Sequence, residues 1–142
     1  MTEFEEILDN FSFLDDWEDR YRYVIELGKD MEPLPEQQKV DATKVDGCAS
    51  QVWIVPSVSG DGPGSIIRFD GDSDALIVKG LIAILRSLLS GRTAAEILTS
   101  DPQSDLAQLG LEQHLSSQRS NGLKAMIARV KSIAAHAGGE AA

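Results

Sequence analysis

Cys48 is the side chain of this sequence best suited to covalent chemistry, because a thiolate is the most polarizable anion that a protein can offer. Gly47 lets the backbone turn tightly before it, and Ala49 and Ser50 are too small to block an approach to the sulfur. Gln51 could add an amide to the sulfur or to a partner. The pattern favours a nucleophilic cysteine. Burial as a small apolar residue, common for a free cysteine, stays open as the alternative.

The surroundings of Cys48 do not predict a hydrolytic enzyme. Asp46 is close by, and a neighbouring carboxylate raises the pKa of a thiol. A hydrolytic cysteine needs a histidine as its base, and the chain has only His114 and His136. His114 stands beside leucines, where packing is the commoner role, and His136 is close to the end of the sequence. We therefore expect no protease chemistry.

A metal site is also disfavoured by the sequence. A single cysteine excludes an internal disulfide and a cysteine-rich zinc or iron–sulfur site within one chain. Asp72 and Asp74 precede a long apolar run, and we expect them to cap the helix that follows, where the dipole favours negative charge. We therefore predict that the chain does not bind a metal ion.

The composition and charge of the chain argue against nucleic acid and membranes as its partners. The 142 residues include 13 Lys and Arg against 23 Asp and Glu, a formal net charge of -10, so nucleic acid is an unfavourable partner. The first residues lack a signal-peptide pattern. The most apolar segment, residues 75–89, contains Lys79 and Arg86 and is shorter than the roughly 18 apolar residues of a membrane span. We expect a cytoplasmic protein without membrane contact.

Helices are predicted on both sides of a short β-rich centre. Capping patterns mark three helix starts, and Gly28 is placed to end the second helix. An apolar helix from residue 71–74 to Leu89 is expected to be buried and central, and a last helix spans about residues 118–135. The three capping patterns are Thr2 with Glu5, Asp15 with Glu18, and Thr93 with Glu96.

The β-rich centre predicts an antiparallel hairpin. Residues 52–55 and 66–69 are runs of β-forming residues, separated by a loop over residues 56–64 that is rich in glycine and proline. Residues 39–45 are a possible third strand. The order predicts an α+β fold, a small antiparallel sheet of about three strands packed against helices. It forms a single domain over residues 1–142, with 137–142 as a flexible tail.

Four separated blocks give the sequence a family resemblance. Val45-Asp46-Gly47-Cys48-Ala49-Ser50-Gln51-Val52-Trp53 resembles the signature of the SufE sulfur acceptors, Gly-Cys-x-Ser-Gln-Val-Trp. Residues 71–75 with 77–81 resemble the start of the central helix in that family. Residues 113–115 and then 119–123 resemble its C-terminal motif. The resemblance covers essentially the whole chain.

The resemblance implies a specific activity. Members of the SufE family accept persulfide sulfur from a pyridoxal-phosphate cysteine desulfurase of the SufS or CsdA kind, stimulate it, and pass the sulfur to an iron–sulfur scaffold. The acceptor cysteine corresponds to Cys48, and the fold is related to the IscU scaffold. The pyridoxal phosphate belongs to the desulfurase, and the resemblance implies that the acceptor itself uses no cofactor and holds no stable metal. A scaffold that binds the cluster itself is the alternative function, which the single cysteine disfavours.

The resemblance also suggests which residues support Cys48. We predict that Arg119 orders the cysteine loop or the docking surface through carbonyls or a carboxylate such as Asp46 or Asp74. We also predict that Cys48 is shielded in the free protein, with Trp53, Ile54 and the central helix as its lining. Residues 57–64 depart from the family pattern and, beside the cysteine loop, could alter partner choice. The residues expected to support the loop or docking are Asp46, Gly47, Ser50, Gln51, Trp53, Asp74, His114 and Arg119.

Overall fold

The computed structural model describes residues 2–48 and 50–138, with the backbone but not the side chain of Glu112. The described elements combine helices with a small antiparallel sheet, so the predicted α+β class is confirmed. Short 3₁₀ turns at Glu36–Gln38, Gly62–Gly64 and Leu111–His114 connect some of them. In chain order the elements are α1 (Glu3–Ser12), α2 (Trp17–Asp30), β1 (Val52–Ser59), β2 (Ile66–Ser73), α3 (Leu76–Leu89), β3 (Arg92–Thr93), α4 (Ala94–Thr99), α5 (Pro102–Ala107) and α6 (Ser117–Ala137).

The sheet is built on the predicted hairpin, which is longer than its apolar runs. β1 pairs with β2 from Val52 opposite Ser73 to Ser59 opposite Ile66. The predicted loop over residues 56–64 is therefore wrong in its first part, because residues 56–59 continue β1. β1 is an edge strand, and an edge strand tolerates Pro56.

The turn of the hairpin lies far from the cysteine. β1 starts beside Cys48 and spans eight residues, or about 25 Å at the usual rise per residue, before the chain turns. Residues 60–64 therefore lie at the opposite end of the hairpin from Cys48. The expectation that residues 57–64 lie beside the cysteine loop is wrong.

The third strand is β3 and not residues 39–45. Ile66 and Ile67 of β2 pair with Thr93 and Arg92. Residues 40–44 close into a turn instead, in which the Lys44 N–H donates to the Val40 carbonyl at 3.0 Å. Lys44 alone makes an isolated bridge to β1, opposite Trp53.

The apolar helix α3 is central, as predicted, with eight of its residues buried. It packs on the inner face of the hairpin, where Val52, Ile54, Ile67 and Phe69 are buried. The last helix, predicted over about residues 118–135, spans Ser117–Ala137 and buries one apolar stripe. Its buried members are Leu123, Met126, Ile127, Val130 and Ala134.

Two glycines bring α2 and α3 into very close contact. α2 continues through Gly28 to Asp30, so the prediction that Gly28 ends this helix is wrong. A Cβ built on Gly28 would lie 2.6 Å from the Gly80 nitrogen, and one built on Gly80 would lie 2.1 Å from the Val24 carbonyl oxygen. The missing side chains thus allow backbone to pack on backbone at this crossing.

The N-terminus of α3 is not capped by the carboxylates that the sequence suggested. Gly71, Asp72 and Ser73 end β2, and α3 begins at Leu76 without a side-chain cap from Ala75. Asp74 turns away to the cysteine loop, as described below. The helix-capping role predicted for Asp72 and Asp74 is therefore wrong.

Asp72 is instead a buried carboxylate with four donors. Its oxygens accept from the backbone N–H of Leu34 at 3.0 Å and of Ser73 at 2.8 Å. The ammonium groups of Lys39 and Lys79 lie 3.4 and 3.3 Å away. Burial alone would raise the pKa of Asp72, but the two N–H donors and the charge of Lys79 outweigh it and hold the pKa below its ordinary value.

Asp72→Asn is expected to lower the free energy of unfolding by about 2–3 kcal/mol at neutral pH, because it removes the counter-charge of the partly buried Lys79 ammonium and one of the two carboxylates beside Lys39. The native pKa of Asp72 is lowered, so its contribution is complete above the unfolded pKa of about 4 and is lost as the pH falls through the native value. Urea titrations between neutral and acid pH measure this. The difference from the parent should shrink as the medium becomes acidic.

Asp70→Asn is the matched control for this prediction. Asp70 pairs with Arg86 at 3.4 Å on the surface, where an ion pair contributes at most about 1 kcal/mol. Equal losses for the two variants, or a pH-independent loss for Asp72→Asn, would contradict the assignment.

The predicted flexible tail is only partly within the described residues. Ala137 belongs to α6, and the Gly138 N–H donates to the Ala134 carbonyl at 2.8 Å. Residues 139–142 lie outside the described part of the chain.

Candidate functional site around Cys48

Cys48 lies in a loop, residues 46–51, that we call the cysteine loop. The loop is closed at its base by a hydrogen bond of 2.8 Å from the Val45 N–H to the Val52 carbonyl. Gly47 has φ +90°, a left-handed conformation that side chains disfavour. The glycine before Cys48 therefore permits the turn, as its position in the sequence predicted.

Hydrogen bonds anchor the chain on both sides of the cysteine loop. The Gln51 N–H donates to the Asp74 carboxylate at 3.0 Å, and the Asp74 N–H donates to the Gln51 carbonyl at 3.3 Å. On the other side, the Arg129 guanidinium of α6 donates to the carbonyls of Ala42 and Lys44. The chain is thus fixed just before and just after the cysteine.

The Cys48 thiol points towards α6. Its Sγ lies 3.6 Å from the Gly122 carbonyl oxygen, a weak S–H···O hydrogen bond. A Cβ built on Gly122 would lie 3.5 Å from the same sulfur. The sulfur is therefore in close contact with the backbone of this helix, and the residue is half-buried.

A small cavity of about 20 Å³ adjoins Cys48. A cavity needs roughly 10–15 Å³ to hold one water-sized atom, so this one has room for about one atom beyond the thiol. Its walls come from the cysteine loop, β1, α3 and α6, and most are apolar. Besides Cys48 they are Ser50, Val52, Val78, Leu81, Gln118, Arg119, Gly122, Leu123 and Met126.

The electrostatic setting keeps Cys48 protonated. Burial raises the pKa of the thiol, because a thiolate loses hydration there, and the charge of Asp46 raises it further. The sequence predicted the second cause, and the structure adds the first. The thiolate fraction at neutral pH is therefore smaller than that of a free cysteine, which slows nucleophilic attack by this sulfur.

Arg119 lines the cavity, but its polar contact differs from the one that the sequence suggested. Its Nη1 donates to the Tyr21 hydroxyl of α2 at 2.7 Å. Among the described residues, no hydrogen bond joins the Arg119 guanidinium to Asp46 or to Asp74. The suggested carboxylate partners are therefore wrong, and Asp74 instead accepts from the Gln51 N–H.

Trp53 lies on the other face of the sheet from the cavity. Successive strand residues point to opposite faces, so Val52 and Ile54 face the core and Trp53 does not. Its ring is covered by the Lys39 ammonium at 5.3 Å from the centroid. The lining predicted from Trp53 and Ile54 is therefore wrong, and β1 contributes Val52 instead. The lining predicted from the central helix is present as Val78 and Leu81.

His114 is not brought to the sulfur. Its ring stacks on Trp17, with the centroids 3.6 Å apart, and it lies outside the described cavity lining. This contact matches packing, the commoner role for a histidine among leucines. A Cys–His pair is therefore not formed by the described residues.

Tyr21, Gly122 and Arg129 are site residues that sequence reasoning missed. Gly122 carried a signal, since a glycine within a helical pattern indicates a close approach of another group. Arg129 and Tyr21 carried none, because their contacts join residues 85 and 98 positions apart.

A metal-binding cluster and a membrane-spanning helix are both absent from the described residues. Residues 2–48 and 50–138 contain no cluster of three or more His, Cys, Asp or Glu side chains arranged to hold a metal ion. Within the same residues, the helices are all too short or too polar to span a membrane.

Comparisons with known proteins identify a family and several similar chains. The model of the SufE family, described as an Fe-S metabolism associated domain, matches residues 5–134. An uncharacterized SufE-like protein of Rhizobium meliloti is 52% identical over 134 residues, covering 94% of this chain and 96% of the relative. One of Rhizobium etli is 52% identical over 131 residues, covering 92% and 88%.

A solved structure supports the fold independently. The solution structure of a hypothetical protein from Thermus thermophilus superposes with a TM-score of 0.72 at 23% identity, over 94% of each chain. With the family match over nearly its whole length, the chain belongs to the SufE family. This membership links it to sulfur transfer in iron–sulfur metabolism.

Proposed function

We propose that this chain is a sulfur carrier. Cys48 takes a persulfide sulfur from a cysteine desulfurase of the SufS or CsdA kind, the carrier stimulates that enzyme, and the sulfur passes on to an iron–sulfur scaffold. The pyridoxal phosphate of the reaction belongs to the desulfurase, and the carrier contributes no cofactor. The observation that carries the proposal is a half-buried cysteine beside an apolar cavity with room for about one more atom.

The chemistry needs one nucleophile and no redox partner. The Cys48 thiolate attacks the outer sulfur of the partner persulfide, the bond between that sulfur and the partner cysteine breaks, and the partner leaves as a thiolate. Cys48 then bears the persulfide, and the same number of electrons and protons is present on both sides. Burial and Asp46 raise the pKa of Cys48, so its thiolate is intrinsically a strong nucleophile but forms to a smaller extent at neutral pH.

The cavity explains how such a persulfide is protected. A terminal sulfur placed among Val52, Leu81 and Met126 is screened from stray thiols and oxidants. The same burial keeps the empty thiol protonated and slow. The docked partner must therefore draw the cysteine loop outward, which makes the transfer conditional on the correct complex.

The test is the mass of the intact chain after incubation with a cysteine desulfurase and cysteine. We expect a gain of one sulfur atom on the peptide that contains Cys48, reversed by a reducing thiol. Incubation without the desulfurase is the control. An unchanged mass, or the visible absorbance of a bound cluster in its place, would count against a carrier.

A further inference from the structure

The Tyr21–Arg119 hydrogen bond joins two depressions of the surface. Arg119 lines the cavity of Cys48. Tyr21 lines a neighbouring groove of about 430 Å³, whose other walls include Trp17, Ile25 and His114. The bond is partly buried and measures 2.7 Å, and the two residues are 98 positions apart in the chain. α2 and the start of α6 are therefore linked at the edge of the cysteine site.

Arg119 depends on this contact for its conformation. Its backbone N–H is held by the Ser116 hydroxyl at 3.2 Å, which fixes the start of the side chain but not its tip. An arginine side chain carries about 2 kcal/mol of rotamer entropy. Among the described residues, the hydrogen bond to Tyr21 is the one that restrains the guanidinium. The aliphatic stem between these two fixed points is the part that can cover apolar surface.

We propose that Tyr21 is a positioning residue of the sulfur acceptor site, whose hydroxyl holds Arg119 so that its stem closes one wall of the Cys48 cavity. This inference rests on Cys48 being the acceptor. Without the hydroxyl, the stem moves among its rotamers and water reaches the sulfur. The burial that raises the pKa of Cys48 is then partly relieved, and the thiolate fraction at neutral pH increases.

The chain supplies a matched control on the same helix. The Tyr23 hydroxyl, two residues further along α2, accepts a hydrogen bond of 2.9 Å from the Asn10 amide of α1. Tyr23→Phe therefore removes the same atom and a hydrogen bond that this atom accepts, but the partner that it releases, Asn10, does not line the cavity, whereas Arg119 does. A difference between the two variants reports on the site and not on the loss of a phenol group in general.

The experiment measures the alkylation rate of Cys48 by iodoacetamide in the free protein, as a function of pH. The variants are Tyr21→Phe, Arg119→Ala, their combination, and Tyr23→Phe, each with its free energy of unfolding. Tyr21→Phe is expected to label about 2- to 10-fold faster than the parent, the factor that corresponds to one hydrogen bond. The apparent pKa of Cys48 should fall. Tyr23→Phe should match the parent in both.

The combined variant tests whether Tyr21 acts through Arg119. If it does, the double substitution labels at the rate of Arg119→Ala alone, because the wall is already absent. Three results would overturn the proposal: labelling of Tyr21→Phe at the parent rate, equal acceleration by Tyr23→Phe, or independent effects in the combined variant. An acceleration that follows the loss of unfolding free energy would also overturn it.

The desulfurase is absent from this experiment, so its outcome is separate from that of the proposed function. The mass of the chain reports whether Cys48 accepts sulfur. The alkylation rate of Cys48 reports whether the cavity wall is closed. Failure of the first with success of the second would leave Tyr21 as the residue that holds Arg119 at the cavity wall and would remove the carrier role.

Discussion

Replacement of Cys48 by serine is expected to abolish both sulfur acceptance and the stimulation of a cysteine desulfurase, while the fold stays intact. A serine hydroxyl is far too weak an acid to supply the anion that attacks a persulfide, and the chain holds no second thiol. The substitution changes one atom in a half-buried position, so the free energy of unfolding should change little. The measurements are sulfide release by the desulfurase with and without the chain, and the mass of the chain afterwards.

Ser57→Ala is the control for the serine substitution. Ser57 is exposed on β1, on the hairpin that follows the cysteine loop, and lies outside the cavity lining. It should stimulate the desulfurase as the parent does. Full stimulation by Cys48→Ser, with a native unfolding curve, would refute the carrier function, whereas loss of stimulation in both variants would place the effect elsewhere.

Gly80→Ala should cause the largest loss of stability among single methyl additions to the helices. The new Cβ would lie 2.1 Å from the Val24 carbonyl oxygen and 2.5 Å from its Cγ1, so two helix backbones must separate. Overpacking of this kind costs about 3 kcal/mol or more when backbone has to move. Chemical denaturation monitored by tryptophan fluorescence measures it, since Trp17 begins α2.

Gly122→Ala provides the comparison in another helix interior. There the new Cβ would meet Cys48 at 3.5 Å and beyond, which is ordinary contact. The usual helix propensity of alanine over glycine, about 1 kcal/mol, should then leave this variant at least as stable as the parent. If Gly80→Ala unfolded at the same denaturant concentration as Gly122→Ala, the close contact of α2 and α3 would not be essential.

Local signals predicted most of the helices. The Thr93 hydroxyl and the Glu96 carboxylate form the reciprocal capping box that their spacing indicated, and Asp101 caps the helix that starts at Pro102. Gly28 failed as a signal because glycine serves both to end a helix and to admit a neighbouring backbone. Sequence spacing alone does not distinguish these two uses.

The remaining features of the fold could not be predicted, because they depend on contacts between residues that are distant in the sequence. β3 is two residues long, and its pairing with Ile66 and Ile67 depends on the tertiary position of the chain after α3. The side-chain types of residues 39–45 suit a strand, but hydrogen bonds within residues 40–44 turn the chain. Asp72 resembled a helix cap by position, yet its donors include Leu34, which is 38 residues away.

In the candidate site, too, the features set by neighbouring residues could be predicted, and those set by distant contacts could not. Cys48 and Gly47 were recognisable from their own neighbours, because nucleophilicity and a tight turn are local properties. The face on which Trp53 lies could also have been predicted, since Val52 and Ile54 mark the buried face by strand alternation. The cavity itself could not, because its walls come from β1, α3 and α6.

Pro56 has a consequence for the behaviour of this molecule at high concentration. The Val52 carbonyl and the Ile54 N–H both bond to residues 43–45 on the outer edge of β1, so by alternation Pro56 faces that edge too. An exposed strand edge invites pairing with another copy, and the exposed Val58 would favour it. A proline at this position offers no N–H to an incoming strand. Residues 43–45 cover the outer edge of β1 only as far as Ile54. Beyond that point, Pro56 protects the edge against pairing with the strand of another copy.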